Sequence, residues 1–144
     1  MRRGSVALEF LLVVLAIAVY IAFTVKAVQV IALQSADDLS RMVRTRAAMT
    51  KIYNAVSFLA QGADGTTTTI SVYVPQGVDV TLSGDTVEAV VSTEGNLANL
   101  PNCTDKSCTF ILRVPMNFDA SYTLSTGIVN IRTFTRKNGE VHVS

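Results

Sequence analysis

Few residues in this 144-residue sequence have types and spacing that suit chemistry. Cys103 and Cys108 stand in Asn-Cys-Thr-Asp-Lys-Ser-Cys-Thr, a spacing unlike the C-x-x-C of thiol oxidoreductases. Two isolated cysteines this close in an exported domain are expected to form a disulfide. Closing so short a loop stabilises by roughly 2 kcal/mol on the chain-entropy model. The alternative is a pair of free, half-buried thiols. Asn102-Cys103-Thr104 is an N-x-T sequon, read as a glycosylation site on a surface loop or as chance; a bridged Cys103 hinders the transferase. His142 is the only histidine and lies near the end of the sequence's last predicted strand, where it is expected to be a strand-face residue rather than a general base. The acids after Gly62 show no metal-loop spacing, and pairs such as Asp79/Asp85 suit solvated strand ends and turns. There is no P-loop, no G-x-G-x-x-G, no H-E-x-x-H and no nucleophile elbow. No enzyme, cofactor or metal is expected.

One further charge needs a reason. From Ser5 to Val25 the sequence is apolar apart from Glu9. As a helix rising about 1.5 Å per residue, that run matches the ~30 Å hydrocarbon thickness of a bilayer. Arg2 and Arg3 precede it, which predicts a cytoplasmic N-terminus with residues 27–144 outside. No A-x-A-like cleavage site follows the run, so it is expected to be retained. A carboxylate at the bilayer centre costs about 2.5–3.5 kcal/mol on insertion scales, and less near an end. Glu9 therefore either sits at headgroup level or awaits a cationic partner on a neighbouring subunit.

The string Arg2-Arg3-Gly4-Ser5-Val6-Ala7-Leu8-Glu9-Phe10, leading into an apolar helix, resembles the class III signal peptide of type IV pilins, and most of all archaeal adhesion-type pilins. The resemblance covers about 25 residues. It departs from bacterial type IVa pilins in having Ser5 where Phe is usual, and from archaeal motility-filament subunits in lacking a Gly-rich start. Ala-Leu-Glu-Phe also resembles minor pilins of tight-adherence systems, although the Pro often found in their membrane helix is absent. The resemblance implies that a prepilin peptidase cuts between Gly4 and Ser5, making Glu9 the fifth mature residue. It implies that Glu9 and Phe10 act in assembly and register, with Glu9 neutralised by the new amine of Ser5 on an adjacent subunit. It further implies an assembly ATPase, a polytopic platform protein and a helical homopolymer at the cell surface, reached from a membrane-held precursor.

The elements that would carry these residues follow from the hydropathy period. Between Ser5 and Gln61 there is no Pro or Gly, and Gly62-Ala63-Asp64-Gly65 supplies a stop. One helix of about 55 residues would be roughly 80 Å long, beyond what a small domain covers. On a helical wheel, Met42, Val43, Met49, Tyr53 and Val56 fall within about 100° of Leu39. Asp37, Arg41, Arg44 and Lys51 gather opposite, while Arg46 and Thr50 interrupt the apolar face. After Gly65 the period becomes two. Segments 66–74, 78–82, 87–92, 109–114, 121–124 and 128–135 are β-rich, and a hairpin turning at Asn138-Gly139 closes the chain. Thr66–Thr69 reads as a strand start, with O-glycosylation as the lesser option.

These readings give an α+β chain: a leader at 1–4, a long apolar-then-amphipathic helix over 5–62, and a β-rich head over 63–144. Six or seven antiparallel strands form the head as a small sheet or sandwich, packed on the helix over 39–59. Composition agrees with an unlike pair of parts. Apolar residues make up 49%, charged residues 16%, and mean hydropathy is +0.40. Basic side chains outnumber acidic ones seven to three through Gly62, and acidic ones lead eight to five thereafter. A net charge of +1 opposes general nucleic-acid binding, and the hydrophobicity opposes disorder. The expected role is a structural subunit of an extracellular pilus-like filament, whose head serves adhesion. The rivals are a minor pilin of a tight-adherence apparatus and a membrane-anchored binding module that never polymerises.

Overall fold

The computed structural model describes residues 3–94 and 100–144, the side chains of residues 3–10, 27, 28, 30 and 31 excepted. The chain is α+β. One helix, α1 (Arg3–Gln61), is followed by β1 (Thr67–Tyr73), β2 (Val78–Ser83), β3 (Thr86–Ser92), β4 (Ser107–Arg113), β5 (Tyr122–Leu124), β6 (Val129–Lys137) and β7 (Glu140–Val143). It divides into two compact units, 1–36 and 37–144, and α1 contributes to both.

In the first unit, the large apolar side chains from Leu11 through Val25 are exposed. The Thr24 hydroxyl within this stretch is satisfied locally, since Oγ1 donates to the carbonyls of Tyr20 and Ile21. Among the described residues no helix is long and apolar enough to cross a membrane. The span expected from Ser5 to Val25 lies partly outside the described side chains. Its described part, Leu11–Val25, falls short of the ~20 residues that a bilayer needs.

The second unit is built on two antiparallel sheets, ordered β1-β6-β7 and β4-β3-β2-β5. Alternation sets one face of each strand inward, most plainly in β2, where Val78, Val80 and Leu82 are buried and Asp79 and Ser83 are exposed. The Asn138-Gly139 turn joins β6 to β7 with positive φ at both residues, 54° and 78°, and pairs Lys137 with Glu140. Residues 114–119 connect the two sheets. Val141 N donates to Asn117 O and Asp119 N to Val141 O, while Val114 N and Phe118 N donate to the carbonyls of Asp85 and Gly84 in the β2–β3 turn.

Helix α1 supplies the rest of the core. Met42, Met49, Ile52, Val56 and Leu59 join Val72, Phe134 and Val141 of the first sheet and Val80, Leu82, Val87 and Val91 of the second in one apolar cluster. The spacing of three and four residues is that of a single helical stripe. Its centre is turned by about a quarter of the helix from the face expected around Leu39. Leu39 and Val43 are 60% and 61% exposed and Tyr53 is 39% exposed, whereas the polar Asp38 and Thr45 are buried. The reason is hydrogen bonding. Thr45 Oγ1 donates to Arg41 O at 2.7 Å, and the Asp38 carboxylate accepts from Glu94 N, so both tolerate the interior.

The end of α1 is fixed from a distance. Its last turn carries no basic residue, but Arg136 of β6 reaches across. Nη1 donates to the carbonyls of Leu59, Ala60 and Gly62 at 3.3, 3.0 and 2.6 Å, and Nε pairs with Asp64 at 3.1 Å. A cation thus meets carbonyls of the last turn and of the residue after it, at the negative end of the helix dipole. Gly62 is required there, because a Cβ would lie 2.5 Å from Thr66 Oγ1.

The turned stripe yields a direct comparison. Ile52→Ala is expected to cost about 2–5 kcal/mol of unfolding free energy, and Leu39→Ala less than about 0.5 kcal/mol. Chemical denaturation of the two variants checks this; equal losses would show that the core faces Leu39 after all.

Candidate functional site

Three features of the second unit have functional geometry: a crosslinked loop, a polar cluster beside β7, and a groove along α1.

The loop joins β3 to β4. Cys103 and Cys108 are bonded, with Cα atoms 4.0 Å apart. Cys108 lies fully buried in the core, so the crosslink fastens the loop to the interior. Asn102 is exposed and sits at φ 63°, a conformation that Asn tolerates better than most side chains. Cys103 N donates to Leu100 O, Thr109 N to Asn102 O, and Thr104 N to Ser107 O at 2.7 Å. The disulfide expectation therefore holds, and the sequon asparagine is at the surface.

His142 lies on strand β7, as expected, and gives that strand a polar contact. His142 Nδ1 lies 2.7 Å from Asp119 Oδ2, and Tyr122 Oη donates to Asp119 Oδ1 at 2.6 Å. Asp119 comes from the segment joining the sheets, Tyr122 from β5 and His142 from β7, so the cluster pins the end of one sheet to the edge of the other. The hydrogen bond to Asp119 comes first and burial second in raising the Tyr122 phenol above its ordinary value, while Val143 N–H bonding the oxygen acts in the opposite direction. Among the described residues no nucleophile is paired with His142, and no group of three or more His, Cys, Asp or Glu could hold a metal ion. Spacing along the chain gave no signal for this cluster, because residues 119 and 142 meet only through the pairing of 117–119 with β7.

The groove lies between α1 and β4. One part, of about 310 Å³, is lined by Arg46, Met49, Thr50, Phe110, Ile111 and Leu112. A second, of about 220 Å³, is walled by Leu39, Met42, Val43, Leu100, Pro101 and Phe110. The Arg46 guanidinium stands 5.6 Å from the centre of the Phe110 ring, between the two parts. Leu39, Val43 and Ile111 are exposed apolar side chains on its rim.

The positions expected to direct processing and assembly, Gly4, Ser5, Glu9 and Phe10, have side chains outside the described residues. Comparison with protein-family models, with curated proteins and with solved structures returns no match.

The Asp119–Tyr122 contact has a measurable consequence. With its ionisation raised, Tyr122 should ionise above the ordinary tyrosine value of about 10, and Tyr122→Phe should delete that final phase from an ultraviolet titration. The neutral phenol donates to the carboxylate; the phenolate would repel it. The bond's contribution to stability is therefore complete below the ordinary tyrosine value of about 10 and is lost as pH rises through the raised value. An unaltered final phase in Tyr122→Phe would refute the assignment.

Proposed function

We propose that the chain is a structural subunit of an extracellular, type IV pilus-like filament. One observation carries the reading. Helix α1 has apolar surface that its own chain leaves uncovered, from Leu11 to Val25 and again at Leu39 and Val43, while a β-rich unit is packed on its later turns. Exposed apolar surface on this scale marks an interface in soluble proteins, and other copies of the same helix would supply the missing half. The basic-Gly junction at Gly4, the Ser5 start and Glu9 in an apolar run support the same reading from sequence.

In this scheme a prepilin peptidase removes Met1–Gly4, and the apolar run over Ser5–Val25 is held in the membrane until an assembly ATPase and platform protein transfer it into the filament. There the helices pack against one another and stay dry. Glu9 is neutralised by the Ser5 amine of an adjacent subunit, which sets register, and Phe10 packs beside it. The strands face outward, with adhesion as their role and Asn102 as a glycan acceptor on the disulfide-bonded loop. No catalytic group, cofactor or nucleic acid takes part. The bonded Cys103–Cys108 pair suits this location outside the cytoplasm.

Intact mass and N-terminal analysis of the native protein test the reading. The expected outcome is Ser5 as the first residue in sheared filaments, and retention of Met1 in a monomeric detergent extract would favour a membrane-anchored module instead. Glu9→Ala should abolish or strongly reduce filaments while leaving membrane insertion intact; normal filaments from that variant would remove Glu9 from assembly.

A further inference from the structure

The crosslinked loop carries an order of events. We infer that Asn102 accepts a glycan much faster while Cys103 and Cys108 are reduced, so that sugar transfer precedes closure of the disulfide. The inference rests on the acceptor reading of Asn102 and is independent of filament formation.

An N-x-T acceptor needs a hydroxyl two residues after the asparagine, which means that the transferase must engage both side chains together. In the folded loop that hydroxyl is already committed. Thr104 Oγ1 accepts from Ser107 N at 3.2 Å and from Lys106 N at 3.4 Å, and lies 3.2 Å from both Ser107 O and Ser107 Oγ. The backbone on either side is committed too: Asn102 O accepts from Thr109 N at 2.9 Å, and Thr104 N donates to Ser107 O. Cys103 and Cys108 face each other as an antiparallel bridge across this small hairpin. Presenting Asn102 and Thr104 to an enzyme therefore means opening the hairpin, and the bond between Cys103 and the buried Cys108 holds it shut.

Without the crosslink, the opening is a local event involving a few exposed hydrogen bonds, drawn from the low-stability end of the fold. With it, the open ensemble loses the entropy of a short closed loop. On the chain-entropy model that reduces the open population about 30-fold, which is ~2 kcal/mol converted at 1.36 kcal/mol per factor of ten. The reverse order presents no obstacle, because the Asn102 side chain is exposed and a sugar on it leaves the hairpin free to close.

The chemistry balances in two steps. Asn102 Nδ2 attacks the anomeric carbon of a lipid-phosphate-linked sugar; the new N–C bond forms as the C–O bond to phosphate breaks, the amide loses a proton and the lipid phosphate leaves. The two Sγ atoms then join, releasing two protons and passing two electrons to a protein disulfide, which is reduced to its dithiol.

The test uses the full chain, purified without glycan, as acceptor for an oligosaccharyltransferase supplied with its lipid-linked sugar donor, and reads transfer by intact mass. Reduced chain should be modified about 30-fold faster than oxidised chain, with circular dichroism showing both folded. In cells, Cys108→Ala keeps the sequon intact and should raise occupancy of Asn102 above wild type. Equal transfer to reduced and oxidised chain would overturn the ordering while leaving Asn102 an acceptor. If even the reduced, denatured chain takes no sugar, Asn102 is not an acceptor, and the ordering fails with it.

Discussion

Two sheets of three and four strands share one interior because α1 lies along it. Each sheet has a single apolar face, and the stripe from Met42 to Leu59 is the surface that both faces meet. On one flank of the helix, Lys51 Nζ donates to Ser71 O at the edge of β1; on the other, Met49 lines the groove beside Phe110 and Leu112 of β4. The far edges are joined by residues 117–119 and by the Asp119 contacts to His142 and Tyr122. Removing the stripe would leave the sheets tied together at that seam and open toward α1.

Polar groups hold this arrangement in place where apolar contact alone has no direction. Arg136 gathers three carbonyls at the end of α1 and the carboxylate of Asp64, which fixes where the helix stops relative to β6. Asp38 binds the backbone after β3 to an earlier turn of the same helix. Asn130, buried in β6, accepts from Ser125 N and donates to Ser125 O, closing the turn after β5. Each satisfies backbone groups that burial would otherwise leave costly.

The functional reading follows from what this core does not use. Sheets and helix stripe are mutually satisfied, yet Leu11–Val25 and the rim formed by Leu39, Val43 and Ile111 remain apolar and uncovered. A protein whose interior is complete and whose helix is still apolar outside is suited to association through that helix. The disulfide-bonded loop lies beside the groove rather than in the core proper, with only Cys108 reaching inward.

Sequence by itself determined the elements. A proline- and glycine-free run set α1, period-two stretches of Thr, Val and Ile set the strands to within a few residues, and Asn138-Gly139 set the last hairpin, because backbone preference and alternation act locally. The Cys103–Cys108 bond was legible for the same reason, being closed within one short loop. The face of α1 was legible only in part: Leu39 and Val43 looked like core, and Asp38 and Thr45 did not. Hydrophobicity counts side chains, whereas burial of Asp38 and Thr45 depends on hydrogen bonds that exist only once the helix and the residue after β3 are placed. The His142–Asp119–Tyr122 cluster and the Arg136 clasp were decided by tertiary structure alone, since their partners lie far apart along the chain and meet through strand pairing that no local pattern encodes.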